Sequence, residues 1–246
     1  SLDASDSNQE LKKRRFYVMN ERNKKESQAV GFHNVKAIGA PFLYIQNKEK
    51  YFVREIPNSL ILFPTHTHEF FTFRSTFDTY TNYLKELRKI SHNFKKITIS
   101  LGWKEYTDAK IVNLFENVGF KVISMGHREN NPRFLINFIR EVSGHEYASS
   151  DSFSTAIFYC LYMKKKTFVF GSPMSEAECV GDYKKSLNHV FLEKYPELKW
   201  ESFNHVSHYN IAVKELGVQF KNSPKKLKRI FGWNLKSIIE RVFQAK

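Results

Sequence analysis

The chain has 246 residues, enough for one large domain or two smaller ones with a sizeable core, and its 41% hydrophobic and 15% aromatic content excludes a disordered protein. Lys and Arg number 39 against 25 Asp and Glu, a formal charge of +14, which favours an anionic partner: nucleic acid, a phosphorylated metabolite or an acidic membrane surface. Cys160 and Cys179 lack metal-ligand spacing, so a reducing compartment is expected rather than a disulfide framework. No apolar run approaches the ~20 residues that span a bilayer. The polar start SLDASDSNQELKKRR does not read as a signal peptide, and the absence of an initial Met points to a processed end or a longer parent chain. A cytoplasmic location, peripheral to the inner face of a membrane, is expected.

In chain order, residues 1–15 read as a solvated arm ending in Lys12-Lys13-Arg14-Arg15. RFYVMN predicts a short strand, NERNKKESQAVGFHNV a polar helix closed by Gly31, and KAIGAPFLYI a tight turn into an apolar segment. A strand over Leu60–Phe63 is stopped by Pro64, which cannot donate to a ladder. Tyr80, Tyr83, Leu84 and Leu87 recur at helical spacing, KKITISLGW is a strand, and TDAKIVNLFENVG is a helix capped by Thr107 or Asp108 and ended by Gly119. KVISMG is the next strand, and NPRFLINFIREV a helix with Pro132 in its first turn. HEYASSDSFSTAIFYCLYMKKKTFVFG then runs through strand, hydroxyl cluster, helix and strand, with Cys160 an apolar filler and Lys164–Lys166 a solvated helix cap. SEAECVGDYKKSLNHVFLEKYPEL reads as helical, and residues 210–246 as basic and amphipathic. Alternating strands and helices at this spacing predict an α/β, Rossmann-like doubly wound parallel sheet.

Ligands of such a sheet bind outside the carboxyl ends of its strands, where this chain places its unusual polar groups. Thr65, His66, Thr67, His68 and Glu69 follow the first strand of the series; Gly102, Trp103 and Lys104 the second; Gly126, His127 and Arg128 the third; Ser149, Ser150, Asp151, Ser152, Ser154 and Thr155 the fourth. A helix starting near Phe153 would turn free N–H groups and a positive dipole end toward that hydroxyl cluster, suiting a phosphate. His127 and Arg128, read as lying on the neighbouring strand, could neutralise it. The competing readings are ordinary: Ser or Asp at a helix start is commonly an N-cap, a lone His a satisfied core residue, and Gly126-His127-Arg128 a turn. GxxxxGK[ST] and GxGxxG are both absent.

The segment Leu60–Gly171, about half the chain, resembles the nucleotide-sugar-binding, carboxyl-terminal half of GT-B glycosyltransferases, particularly bacterial surface-polysaccharide enzymes of sialyltransferase-like and CDP-glycerol-polymerase-like type. The resemblance lies in SSDSFSTAIFYCLYMKKKTFVFG and FPTHTH. It implies that Ser152, Ser154 and Thr155 cradle the donor phosphate; Ser150, Gly102, Trp103, Gly126, His127 and Arg128, at the same edge of the sheet, complete the candidate donor site. It assigns His66 or His68 to the phosphate or leaving group, with Glu69 the nearby carboxylate. Pro64 precedes the histidines, where such enzymes carry a His-Pro order, and the acceptor-side domain is not matched. GFHNVKAIGAPFLYI looks like the inter-domain hinge. The implied division is an arm and hinge remnant over 1–57, a nucleotide-sugar-binding domain over 58–209 and a basic helical tail over 210–246. The implied activity is metal-independent, cofactor-free transfer of a sugar, with a CMP-linked acidic sugar the favoured donor, to a glycan or lipid-linked acceptor, without nucleic acid. The tail KNSPKKLKRIFGWNLKSIIERVF is either a helix on an anionic membrane surface or a closing helix packed on the sheet. A nucleic-acid-binding protein and a non-catalytic interaction domain are the alternatives.

Overall fold

The structure, a computed structural model, describes residues 12–67, 71–171, 179–181 and 188–233. The chain forms two compact units, one of residues 46–212 and one of residues 1–45 with 213–246.

The larger unit is built on five strands: β3 (Ile56–Leu62), β5 (Lys96–Leu101), β6 (Lys121–Ser124), β7 (His145–Ser150) and β8 (Lys166–Val169). Every pairing among them is parallel, in the order β6-β5-β3-β7-β8. This is the Rossmann-like doubly wound sheet that the alternating pattern predicts. Leu60 and Leu62 of β3 with Ile97, Ile99 and Leu101 of β5 turn one face toward the helices α2 (Thr76–Ser91) and α4 (Ala109–Glu116), meeting Tyr80, Leu84, Leu87, Ile111 and Phe115. Ser75 caps α2 by accepting the Asp78 N–H, and Asp108 caps α4 by accepting that of Lys110. Each buried apolar side chain contributes roughly 2 kcal/mol, so α2, with five buried, is held by its apolar stripe. The intervening strand positions Ile61 and Ala148 are fully buried on the opposite side. There α5 (Phe134–Ser143) and α6 (Thr155–Tyr162) pack, with Phe138 stacked on Phe63 and edge-on to Tyr159. A short helix, α3 (Trp103–Tyr106), follows β5 directly.

Three sequence expectations are corrected. SEAECVGDYKKSLNHVFLEKYPEL is not one helix: Cys179–Gly181 forms β9, antiparallel to β4 (Phe71–Phe73), and among the described residues helix α7 covers Asn188–Lys194. A strand partner too far away in the chain to be read locally overrides the helical pattern. Lys165 is not a solvated cap but is 8% exposed, its Nζ donating to Glu55 Oε2 at 2.5 Å and the Ser143 carbonyl at 3.0 Å. The strand bearing His127 is not the neighbour of the hydroxyl-bearing strand: β6 lies three places from β7, about 14 Å at ordinary strand spacing. Cys160 is a buried free thiol, and burial pushes its pKa well up, as an apolar filler requires.

In the smaller unit β1 (Arg15–Val18), α1 (Glu21–Ala29) and β2 (Asn34–Ala37) form a parallel β-α-β turn, with Asn20 capping α1. The returning chain closes on it. Ala40 N–H donates to the Leu216 carbonyl at 2.9 Å and Asn20 Nδ2 to that of Glu215 at 2.6 Å. Gly217 adopts φ +65°, and a Cβ there would collide with the Met19 carbonyl oxygen. Helix α8 (Tyr209–Glu215) precedes this return, and α9 (Pro224–Ile230), capped by Ser223 with Pro224 in its first turn, follows it. No helix among the described residues is long and apolar enough to cross a membrane.

Candidate functional site

In chain order the five strands occupy the places third, second, first, fourth and fifth across the sheet, so connections reverse direction between β3 and β7. A crevice opens at such a switch point, and ligands of open α/β sheets bind there. The residues just beyond β3 and β7 are joined across it. Thr65 donates its N–H and its hydroxyl to Asp151 Oδ1, at 2.9 and 2.8 Å, and its Oγ1 lies 2.9 Å from Ser152 Oγ. One turn of loop later the arrangement repeats on the β5 side: Thr67 donates its N–H and its hydroxyl to Glu105 Oε1, at 2.8 and 2.6 Å. Two buried carboxylates thus grip two threonines, and His66, the residue between them in the chain, is exposed to solvent. A loop backbone held on both sides of a residue costs little further entropy to order when that residue meets a ligand.

Asp151 is 7% exposed, and removing its charge from water outweighs the hydrogen bonds from Thr65 and Ser150, so its pKa is pushed up to about 6. A cavity of about 240 Å³ opens beside it, lined by Pro64, Thr65, Tyr80 and Tyr83 among others. Burial holds both phenols well above their usual pKa, so both remain donors. Tyr80 donates to the Thr65 carbonyl at 3.0 Å, whereas the Tyr83 hydroxyl has no hydrogen-bond partner among the described residues. Glu105 Oε2 is likewise buried and unpartnered among them.

The hydroxyl cluster divides by what each group already does. Ser150 is 1% exposed and spends its hydroxyl on the Phe63 carbonyl at 2.6 Å, tying β7 to β3. Ser152 meets Thr65 across the switch point. Ser154 occupies the N-cap position of α6 in extended backbone, yet its hydroxyl makes no capping hydrogen bond, and Thr155 beside it is exposed. The ordinary explanation of a serine at a helix start is therefore not what its side chain does.

On the far side, Trp103 is 42% exposed and tilts against the His127 ring at 5.0 Å between centroids. His127 Nδ1 accepts the N–H groups of Glu129 and Asn130, at 3.2 and 3.3 Å, which leaves Nε2 to carry the proton of the neutral ring. Arg128 is exposed and 3.4 Å from Glu129, and its charge draws the Tyr159 phenol of α6 down, against the burial that holds it at about 12. Gly102 and Gly126 serve packing: a Cβ on Gly102 would meet Glu105 Oε2 and the His66 side chain, and Gly126 turns at φ +86° with Asn131 against it. His68 and Glu69 lie outside the described residues. Among the described residues no three His, Cys, Asp or Glu are grouped to hold a metal ion. Thr65 and Thr67 stand among the polar groups that the sequence places at the ligand edge, but their grip on two carboxylates, and the part of Glu105, Tyr80 and Tyr83, have no local sequence signal. The two threonines stood in a polar loop, and the others in helices where only their apolar or solvated character shows.

No protein-family model matches the chain, and no curated protein matches it. Among solved structures it is similar to one titled "Structure of the Wall Teichoic Acid Polymerase TagF", with 11% sequence identity and a TM-score of 0.46. The match covers 92% of this chain and 59% of that one, so the chain spans less than two thirds of that protein's length.

Proposed function

We propose that residues 46–212 form the donor-binding domain of a nucleotide-sugar-dependent glycosyltransferase of GT-B type, acting on a surface glycan or a lipid-linked acceptor. One observation carries this reading: at the switch point of the sheet, the N-cap hydroxyl of α6 is not used by its own helix. A helix amino terminus with an uncommitted hydroxyl before it supplies donors without adding charge, the arrangement that holds a phosphate. Ser154, Thr155 and Ser152 hold the donor phosphate. Arg128 and the Nε2–H of His127, on the loop after the edge strand β6, add positive potential at the carboxyl edge of the sheet and offset the charge that grows on the departing phosphate. His66, held between Thr65 and Thr67, donates a hydrogen bond to the leaving oxygen, with His68 and Glu69 of the same loop as the remaining catalytic candidates. These donors need no metal to stabilise the leaving group. The resemblance of SSDSFSTAIFYCLYMKKKTFVFG favours a cytidine nucleotide, with a CMP-linked acidic sugar foremost.

A thermal-shift screen against CMP, UDP, GDP and CDP-glycerol tests the reading. A nucleotide present at one hundred times its Kd stabilises the native state by about 2.7 kcal/mol, and CMP or CDP-glycerol is expected to raise the melting temperature most. Replacing Ser154 and Thr155 together with Ala is expected to abolish that rise while leaving the ligand-free stability within about 0.5 kcal/mol of the starting protein. A full nucleotide response in the double variant would remove the assignment.

A further inference from the structure

The charge of the chain is not spread over it. Residues 1–45 and 213–246 carry seventeen Lys and Arg against seven Asp and Glu, a net +10; residues 46–212 carry twenty-two against eighteen, a net +4. The smaller unit, a third of the chain, therefore holds most of the excess. Its described portion has three carboxylates, and all are taken: Glu26 and Glu215 by Arg22, Glu21 by Lys24. The other described lysines and arginines of the unit have no ion-pair partner among the described residues, and all but Lys12 are exposed.

The fold then joins two basic runs that the sequence holds more than two hundred residues apart. Arg15 Nη1 and Tyr17 Oη both donate to the Ile230 carbonyl, at 3.3 and 2.9 Å, which docks the end of the run Lys12–Arg15 against the end of α9 with its Lys225, Lys226, Lys228 and Arg229. Tyr17 packs edge-on to Phe231, which lies against Trp233, itself 63% exposed. On the other side of β1, Phe16 is 40% exposed and stacked on Phe32, and Val30, two residues before Phe32, is 61% exposed. Cationic side chains beside the exposed Trp233, on the Tyr17 side of β1, fit a layer of anionic headgroups over acyl chains. Exposed Trp suits that interface, and exposed Val offers nothing to a stacked base.

We infer that the smaller unit is a membrane-docking surface for anionic lipid, assembled from both ends of the described chain rather than from the carboxyl-terminal segment alone. The inference does not rest on the nucleotide site.

The test is sedimentation of the full chain with vesicles of phosphatidylcholine alone and of phosphatidylcholine with phosphatidylglycerol. The chain is expected to sediment with the mixed vesicles, to stay in solution with the neutral ones, and to be released by high salt. Replacing Lys225, Lys226, Lys228 and Arg229 with Glu removes four exposed cations and is expected to weaken partitioning at least about 100-fold. The variant Arg14→Glu with Lys13→Glu, at the other end of the chain, is expected to weaken it as well. Trp233→Phe is expected to reduce the blue shift of tryptophan emission on vesicle binding. Equal binding to neutral vesicles, undiminished binding of the quadruple variant, or preferential retention on single-stranded nucleic acid at equal phosphate concentration would each overturn the inference. A melting-temperature response to nucleotide that survives in the quadruple variant separates failure of this surface from failure of the donor site.

Discussion

Asp151 sits among hydroxyl groups with its charge out of water, and the sign of its effect on stability follows from that. Its carboxyl titrates near 3.8 when exposed and near 6 in the fold, so the native state holds the proton more tightly than the unfolded chain does. The protein is therefore most favoured by this group below pH ~4, and loses about 3 kcal/mol of that preference as the pH climbs through 6. His145, whose pKa burial lowers, contributes in the opposite direction. Comparing urea midpoints of the wild type and Asp151→Asn from pH 4 to 7 isolates the effect: the difference in stability is expected to move toward the variant as pH rises, by about 2 kcal/mol. A constant difference across that range would mean that the carboxyl is not buried in this way. The sequence shows an acid inside a hydroxyl-rich loop. It does not show that Thr65, eighty-six residues earlier, is the partner, because hydrogen bonds between strand ends depend on strand order.

At the scale of elements, long periodic segments were legible and short ones were not. Helix α2 matches the recurrence of Tyr80, Tyr83, Leu84 and Leu87, because a buried stripe must repeat with the helical turn. Helix α3 has four residues and no periodic signal, and it exists to bring Glu105 beneath the histidine loop. Gly102 opens it with ordinary backbone at φ −57°, so its requirement is for space and not for conformational freedom. Gly102→Ala is expected to cost 1–3 kcal/mol by overpacking against Glu105 and His66. Urea unfolding measures this cost, and a nucleotide titration of the same variant is expected to show weaker binding, since His66 must move. Stability unchanged from wild type would show that the loop has room to shift. Strand β2 and the pair β4–β9 were also missed, since strands of three or four residues depend more on their partners than on their own composition.

For the molecule as a whole, a unit with a net charge of +10 and its described carboxylates already committed repels itself. Raising the ionic strength from about 0.01 to 0.15 M shortens the reach of that repulsion from ~30 to ~8 Å. The melting temperature is expected to rise by a few degrees over that range, and by less in the Lys225, Lys226, Lys228 and Arg229 to Glu variant. Scanning calorimetry at both salt concentrations checks it, and a fall with added salt would count against self-repulsion.

The alternation of strand and helix, the parallel sheet and the loops that carry polar groups are all legible in the residues alone, because burial periodicity and turn chemistry act over a few residues at a time. Tertiary structure alone decided which loops meet: Thr65 with Asp151, Thr67 with Glu105, Trp103 with His127, and Arg15 with the end of α9. It also decided that β6 would stand at the sheet edge and that the chain's positive charge would gather in one unit. Those outcomes depend on the order in which strands pair and on where the chain returns, and no local run of residues encodes either.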